Sequence, residues 1–293
     1  MKYRSANSYF RETFGKKMYK ASLSLDVTCP NRDGTKGVGG CIFCSGGGSG
    51  EFASSSHKSI TEQIDDAILL LSKKIKGDAG YIAYFQSFTS TYCSADYLRS
   101  ALEEAASHPM VEAVSLGTRP DCLGDDILDV LDECSRRIPL FIELGLQTSN
   151  DATGDMINRC YKTDDFIKGV EQLKKRGINV IAHVIFGLPG ETKEDMMNTV
   201  KLVNECGVGG VKFTCLYVLK GTRLFEMYNN KEFEVLGMEE NFDIVEDAIR
   251  ILDPDVVVHR LTGDGPKSLL AAPMWTSNKR EVINYINRRF SDG

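Results

Sequence analysis

The stretch "NVIAHVIFGLPGETKEDMMNTVKLVNEC", residues 179–206, divides in two by its own chemistry. Residues 179–187 carry Val180, Ile181, Val184, Ile185 and Phe186, a short β-branched run that predicts a buried strand. Residues 191–206 are longer and mix acids and lysines with spaced apolar residues, which predicts an amphipathic helix. Gly187, Pro189 and Gly190 supply the turn between them. A strand that feeds a helix is a βα unit, and the pattern recurs on both sides. Further strand candidates are "KASLSLDVT" (20–28), "YIAYFQS" (81–87), "AVSLGTR" (113–119), "LFIELGLQ" (140–147) and "GVKFTCLYV" (210–218). Helical segments fall at 59–75, 95–107, 124–136 and 163–176, with Ser59, Gly124 and Thr163 as caps. In the first of these, Ile60, Ile64, Ile68 and Leu71 share one face. Six strands with crossover helices predict an α/β fold, a partial (β/α)6 TIM-like barrel. Residues 222–293 break the rhythm, with a helix near 239–252, a strand at 256–261, "TGDGP" at 262–266 and a last helix near 277–290. The expected division is therefore 1–221, a barrel with an N-terminal lead-in, and 222–293, a C-terminal α+β extension packed on it.

The 293 residues are 42% hydrophobic, ample for a buried core. No apolar run is long enough to span a bilayer, and the polar start "MKYRSANSYF" lacks the apolar segment of a secretory signal. A cytoplasmic location is expected, with no membrane partner. Nine cysteines, an odd number, argue for reduced thiols and a metal or catalytic use of some of them. The net charge of −6, with bases spread among acids, disfavours a tight grip on nucleic acid.

In parallel sheets of this kind, ligands sit on the loops at the carboxyl ends of the strands. The loop after the first strand reads "CPNRDGTKGVGGCIFC", residues 29–44. Cys29, Cys41 and Cys44 number one too many for a disulfide and one too few for a closed zinc site. Three thiolates can hold three irons of a 4Fe-4S cluster and leave the fourth iron open to an exogenous chelator. S-adenosylmethionine, through its amino and carboxylate groups, suits that position, and one-electron reduction of its sulfonium yields a 5′-deoxyadenosyl radical. Gly34, Gly37, Gly39 and Gly40 let backbone approach an inorganic cube closely. The alternative is zinc, with His57 or another cysteine as fourth ligand. Cys93, Cys122, Cys134, Cys160, Cys206 and Cys215 lack cluster spacing and read as packing residues.

The cysteine loop resembles the radical S-adenosylmethionine superfamily, in a bacterial branch related to elongator-type catalytic subunits. The likeness continues through "AYFQSFTSTY" (83–92), "GTRPDC" (117–122), "ELGLQT" (143–148), "HVIFGLPGET" (183–192), "LKGT" (219–222) and "APMW" (272–275). The resemblance implies a six-stranded partial barrel, a 4Fe-4S cluster and S-adenosyl-L-methionine as cofactors, and an external electron donor such as flavodoxin or ferredoxin. It implies that Phe43 lies against the adenine, and that Phe85, Gln86 and Ser87 take the place of the usual Gly-Gly-Glu that receives the methionine amino group.

Along 140–147, Phe141, Glu143, Gly145 and Gln147 share one face and Ile142, Leu144 and Leu146 the other. Glu143 thus points into the lumen and needs a partner or a ligand, since a lone buried carboxylate is costly. Lys212 has the parity to be that partner in a structural ion pair. The resemblance instead gives Glu143 or Gln147 to the ribose or amino group of S-adenosylmethionine. His183 reads more readily as a satisfied core histidine than as a base. Gly187, Gly190 and Glu191 turn into a helix whose amino end can meet a ligand. The glycine-rich "CSGGGSGEF" (44–52) is either a cradle for an anion or an exit loop. Arg119 and Asp121 are polar contacts at the rim or a mutual pair.

Strand six departs from the branch, with Thr214 and Tyr217 where relatives place two histidines. A changed lumen implies a changed substrate. The resemblance then points to the queuine-cleaving lyases of queuosine salvage, which release a 7-deazaguanine base from its cyclopentenediol appendage by breaking a carbon–nitrogen bond. The acidic balance fits such a small free base. Asp26, Asp121 and Tyr217 are the candidates for an acid or base. The other readings are a tRNA wobble-base modifying enzyme, which should need a basic surface, and a non-catalytic iron–sulfur sensor or carrier.

Overall fold

The computed structural model describes residues 1–292 apart from 49, 51, 52, 74, 76 and 264. The glycine-rich "CSGGGSGEF" therefore lies partly outside the described residues, as does the middle of "TGDGP".

Seven strands form one parallel sheet in chain order: β1 (Lys17–Leu23), β2 (Ala79–Phe85), β3 (Val111–Thr118), β4 (Leu140–Gln147), β5 (Asn179–Phe186), β6 (Gly210–Cys215) and β7 (Val257–Arg260). The first five are crossed by helices α1 (Ile60–Ser72), α2 (Ala95–Ser107), α3 (Asp125–Ser135), α4 (Thr163–Lys175) and α5 (Lys193–Cys206), with α6 (Met238–Ile251) before β7. The sheet curls into a half-barrel. The seventh strand comes from the residues after 222, where four residues without a following crossover helix gave no βα signal.

The helix starts follow the expected chemistry. Ser59 and Glu62 form a reciprocal capping box at α1, Thr192 and Asp195 another at α5, and Gly124 is the N-cap of α3. At α4 the cap is Lys162, one residue before the expected Thr163, whose N–H and hydroxyl both donate to Asp151 Oδ1 at 2.8 Å. The first strand ends earlier than expected. Ser24 N–H donates to Gln63 Oε1 at 2.8 Å and Ser24 O accepts from Gln63 Nε2 at 3.0 Å, so α1 takes its backbone groups out of the ladder. β6 likewise stops at Cys215, and Val218–Leu219 pairs antiparallel with Leu270–Ala272 instead.

Alternation along the strands sorts side chains into layers. Ile142, Leu144 and Leu146 of β4, with Ala182, Val184 and Phe186 of β5, pack outward against the helices in the main core. Inward-facing residues at the amino ends of the strands, Met18, Ile82, Phe141 and Ile181, are closed from below by a helix at Ala6–Phe14, whose Phe10 meets Phe141 edge-on at 5.8 Å. The bottom of the half-barrel is thus an apolar plug. Its polar lumen opens at the carboxyl ends of the strands.

Candidate active site

Cys29, Cys41 and Cys44 line one wall of a cleft of about 420 Å³ at that carboxyl end. Ile42, between the last two, is the anchor: its N–H donates to Ile157 O at 3.1 Å, its carbonyl accepts from Leu224 N–H at 3.0 Å, and its side chain packs with Leu188, Leu216 and Leu224. With Ile42 turned into the protein, Cys41, Phe43 and Cys44 face the cleft. The glycines matter at Gly37, where an added Cβ would lie 2.2 Å from Asn31 Oδ1 and 2.8 Å from Cys160 Sγ. Asn31, fully buried, directs Nδ2 toward Cys41 Sγ at 3.7 Å, and Arg119 Nη1 lies 3.9 Å from Cys29 Sγ. Burial, and then the neighbouring Cys44, pushes the Cys41 thiol up to about 12. A bound metal cation would favour the Cys41 thiolate against that burial.

The donor set fits a cluster better than a single ion. Among the described residues no group of three His, Cys, Asp or Glu is gathered closely enough to hold one metal ion. His57, the expected fourth ligand in the zinc alternative, is exposed and outside the cleft. The three cysteines, with N–H donors aimed at two of the sulfurs, suit the larger span of a 4Fe-4S cube.

The floor of the cleft is a charged centre. Glu143 is 1% exposed and accepts from Lys20, Lys212, Tyr84 Oη (2.7 Å), Ser115 Oγ (3.1 Å) and His183 Nε2 (2.8 Å). Burial alone would raise this carboxyl, yet Lys20 and Lys212 outweigh it and hold Glu143 well below the carboxylate range. Lys212 itself is pushed well below the ordinary lysine value by burial among other cations. Burial and Lys212 lower His183 to about 4, so its ring is neutral at working pH. The expected Glu143–Lys212 pair is present, and it is part of a larger network: Lys20, Tyr84, Ser115 and His183 carry no sequence signal that joins them. Glu143 has no free lone pair left for a ribose.

The side wall is built by β3 and β4. Gln147 ends β4 with φ +62, lines the cleft, and its Oε1 accepts from Tyr161 Oη at 2.6 Å. That turn is braced by Arg159, fully buried and unforeseen from sequence, which donates to the carbonyls of Leu146 (2.7 Å), Thr148 (2.6 Å) and Tyr161 (3.0 Å) and pairs with Asp151 at 2.8 Å. Arg119 and Asp121 form a two-pronged pair, both contacts at 2.9 Å, with Lys36 on the other side of the carboxylate at 2.8 Å. Burial would raise Asp121, but Arg119 and Lys36 hold it below the ordinary range. Asp121 is thus a fixed anion that aims Arg119 at Cys29, and not a proton donor.

Other expected residues are placed as follows. Gln86, Phe43 and Tyr217 line the cleft. Phe85 is fully buried in the layer between sheet and helices, so its side chain turns away from the cleft. Ser87 is buried beside Ser24, the two hydroxyls 2.6 Å apart. Asp26 is exposed and does not line the cleft, and its backbone N–H donates to Tyr97 Oη. Gly187, at φ +83, serves the turn into α5 and packs against Leu236. Glu191 bonds to Thr148 with one oxygen, leaves Oε2 buried without a partner, and is raised to about 7 chiefly by burial.

Residues 29–203, which begin at the first cluster cysteine, match the Radical SAM superfamily, and residues 208–292 match the Radical SAM C-terminal domain. The chain belongs to the radical SAM superfamily. Radical SAM enzymes use a 4Fe-4S cluster and S-adenosylmethionine, the pair for which the cysteine wall is suited. The chain is 41% identical over 291 residues to the Bacillus subtilis (strain 168) protein YtqA, covering 99% of this chain and 90% of that one. It is 29% identical to the tRNA uridine(34) acetyltransferase of Methanocaldococcus jannaschii, over 62% of this chain and 34% of that protein. The solved structure of Methanocaldococcus infernus Elp3 with its first 46 residues deleted superposes with a TM-score of 0.69 at 19% identity, covering 94% of this chain and 63% of Elp3. That likeness is one of fold, and it extends over nearly the whole chain.

Proposed function

We propose that this radical SAM enzyme is a carbon–nitrogen lyase that acts on queuine, a free 7-deazaguanine base, and releases 7-aminomethyl-7-deazaguanine. The observation that carries the reading is an aromatic residue in the cleft lining. Tyr217 borders the cleft and its ring is backed by glycines: a Cβ on Gly263 would lie 2.9 Å from the ring and one on Gly265 3.1 Å. A tyrosine so held offers a flat face on which a heterocycle can stack. When bound, the cluster and S-adenosylmethionine supply a 5′-deoxyadenosyl radical able to take a hydrogen atom from the cyclopentene ring. The protein's own part is to bind, orient and exclude water. Phe43, Gln86, Thr214 and Tyr217 all line the cleft; in this reading the first two serve the nucleotide and the last two the substrate, above the apolar plug at the amino ends of the strands. Of the three acid or base candidates only Tyr217 borders the cleft.

The net charge of −6 supports a small free base over a polyanion. Free thiols at all nine cysteines and the lack, among the described residues, of a helix long and apolar enough to cross a membrane accord with a cytoplasmic site of action served by flavodoxin or ferredoxin. A second reading, tRNA base modification, draws on the likeness to the tRNA uridine(34) acetyltransferase. The test is anaerobic turnover with reconstituted cluster, reductant and S-adenosylmethionine, in the presence of queuine, of tRNA, or of neither. The proposal expects 7-aminomethyl-7-deazaguanine and a matching amount of 5′-deoxyadenosine in the queuine arm. Equal 5′-deoxyadenosine with and without queuine, and no released base, overturns it; stimulation by tRNA alone would install the second reading.

A further inference from the structure

The cleft floor contains an acceptor whose direction is set from behind. His183 Nε2 lies 2.8 Å from Glu143 Oε2, and its side chain, 29% exposed, borders the cleft. An ionised carboxylate only accepts, so the neutral ring carries its proton on Nε2 and keeps the Nδ1 lone pair. Nδ1 has no partner among the described residues. Glu143 cannot swing away from this duty, because Lys20, Lys212, Tyr84 and Ser115 hold it on its other sides.

A donor stands at the same level of the sheet. His183 is in register with Lys212, and Lys212 with Arg260. The pairing of β6 and β7 slips by one residue at His259, a bulge that lets Arg260 join Lys212 on the lumen face. Arg260 borders the cleft, and among the described residues its guanidinium makes no hydrogen bond or ion pair. Two strand spacings, about 10 Å between backbones, separate it from His183, and both side chains border the same cleft.

We propose that His183 and Arg260 form the polar recognition subsite for the substrate, an acceptor and a donor fork that together take a lactam edge, an N–H beside a carbonyl oxygen. The assignment rests on the deazaguanine reading, whose ring N–H and carbonyl match this order; an amidine edge of the adenine type presents the reverse. Glu143 is a positioning residue in this scheme, since it acts through the His183 ring. Lys212 stands between them in the row, bound to Glu143, and with burial it favours the neutral ring.

Two measurements test it. Equilibrium binding of queuine and of S-adenosylmethionine is compared for the wild type, His183→Phe and Arg260→Met, each with reconstituted cluster. Loss of one buried hydrogen bond to a charged or fixed partner predicts about 10- to 100-fold weaker queuine binding in each variant, with S-adenosylmethionine affinity retained as the check on folding. The 7-deazaadenine analogue should bind the wild type at least about 100-fold more weakly. Separately, nitrogen NMR of histidine-labelled protein, with the His183 signals assigned by their loss in His183→Phe, should find the proton on Nε2. Wild-type queuine affinity in both variants, or a proton on Nδ1, overturns the subsite. Failure of the wild type itself to bind queuine overturns the deazaguanine reading and with it the lactam assignment, an outcome distinct from the other two.

Discussion

Glu143→Gln removes one negative charge from the floor while keeping the shape of the side chain. The wild-type carboxylate is 1% exposed and is shared by Lys20, 26% exposed at its side chain, and Lys212, 5% exposed. With the charge gone, Lys20 can turn toward solvent, but Lys212 remains buried facing an amide that offers it only one acceptor. Breaking a buried pair from one side costs about 3–5 kcal/mol. At roughly 2–3 °C per kcal/mol for a chain of this size, Tm should fall by roughly 6–15 °C. The double variant Glu143→Gln, Lys212→Met discards the stranded cation as well and should recover at least about half of the loss, since an apolar side chain replaces a charge that no longer has a partner. Thermal unfolding by circular dichroism, on anaerobic samples of equal iron content, reads both effects. A single variant that melts within about 2 °C of wild type, or a double variant less stable than the single one, would refute the view of this centre as one coupled ion network.

Three further outcomes follow from particular contacts. Glu191 titrates near 7 in the folded chain against about 4.5 unfolded, so the native state binds the extra proton and its stability declines as pH rises across that window. Glu191→Gln should match wild type at pH 4 and exceed it by about 2 kcal/mol at pH 8 in urea unfolding; equal curves at both pH values contradict this. Gly37→Ala drives a Cβ into Asn31 and Cys160, so iron retained per chain after reconstitution and desalting should drop by at least about half, with the helical circular dichroism signal kept. Arg119→Met withdraws a positive charge from beside Cys29, and the midpoint potential of the cluster, followed by electron paramagnetic resonance, should move to more negative values. A shift to more positive potential would reverse the assigned role of the Arg119–Asp121 pair.

What sequence reveals here follows period and spacing. Residues 140–147 matched β4 because strict alternation marks a strand with one face on the helices and one on the lumen, and the cysteine loop was legible because thiolate chemistry depends on residue type. The extent of β1 is not legible in the sequence because Gln63, 39 residues on, takes over the backbone of Ser24. Motif resemblance gives Phe85 and Ser87 to the nucleotide, yet strand parity turns the first toward the helices and Ser24 occupies the second. Asp26 follows the end of β1, where no period fixes its direction. Arg159 and Arg260 were invisible for different reasons: one is buried by carbonyls that a loop gathers in three dimensions, and the other is turned inward by a bulge in a strand too short to show a pattern. Such residues are specified by long-range pairing, which a linear reading does not contain.

The most direct test of the account is electron paramagnetic resonance of the reduced, reconstituted protein with and without S-adenosylmethionine, with iron counted on the same samples. About four irons per chain, a spectrum altered by the nucleotide, and loss of both in Cys41→Ala are the predicted result. A chain that holds no more than one metal ion, or a reduced cluster whose spectrum ignores S-adenosylmethionine, would contradict it.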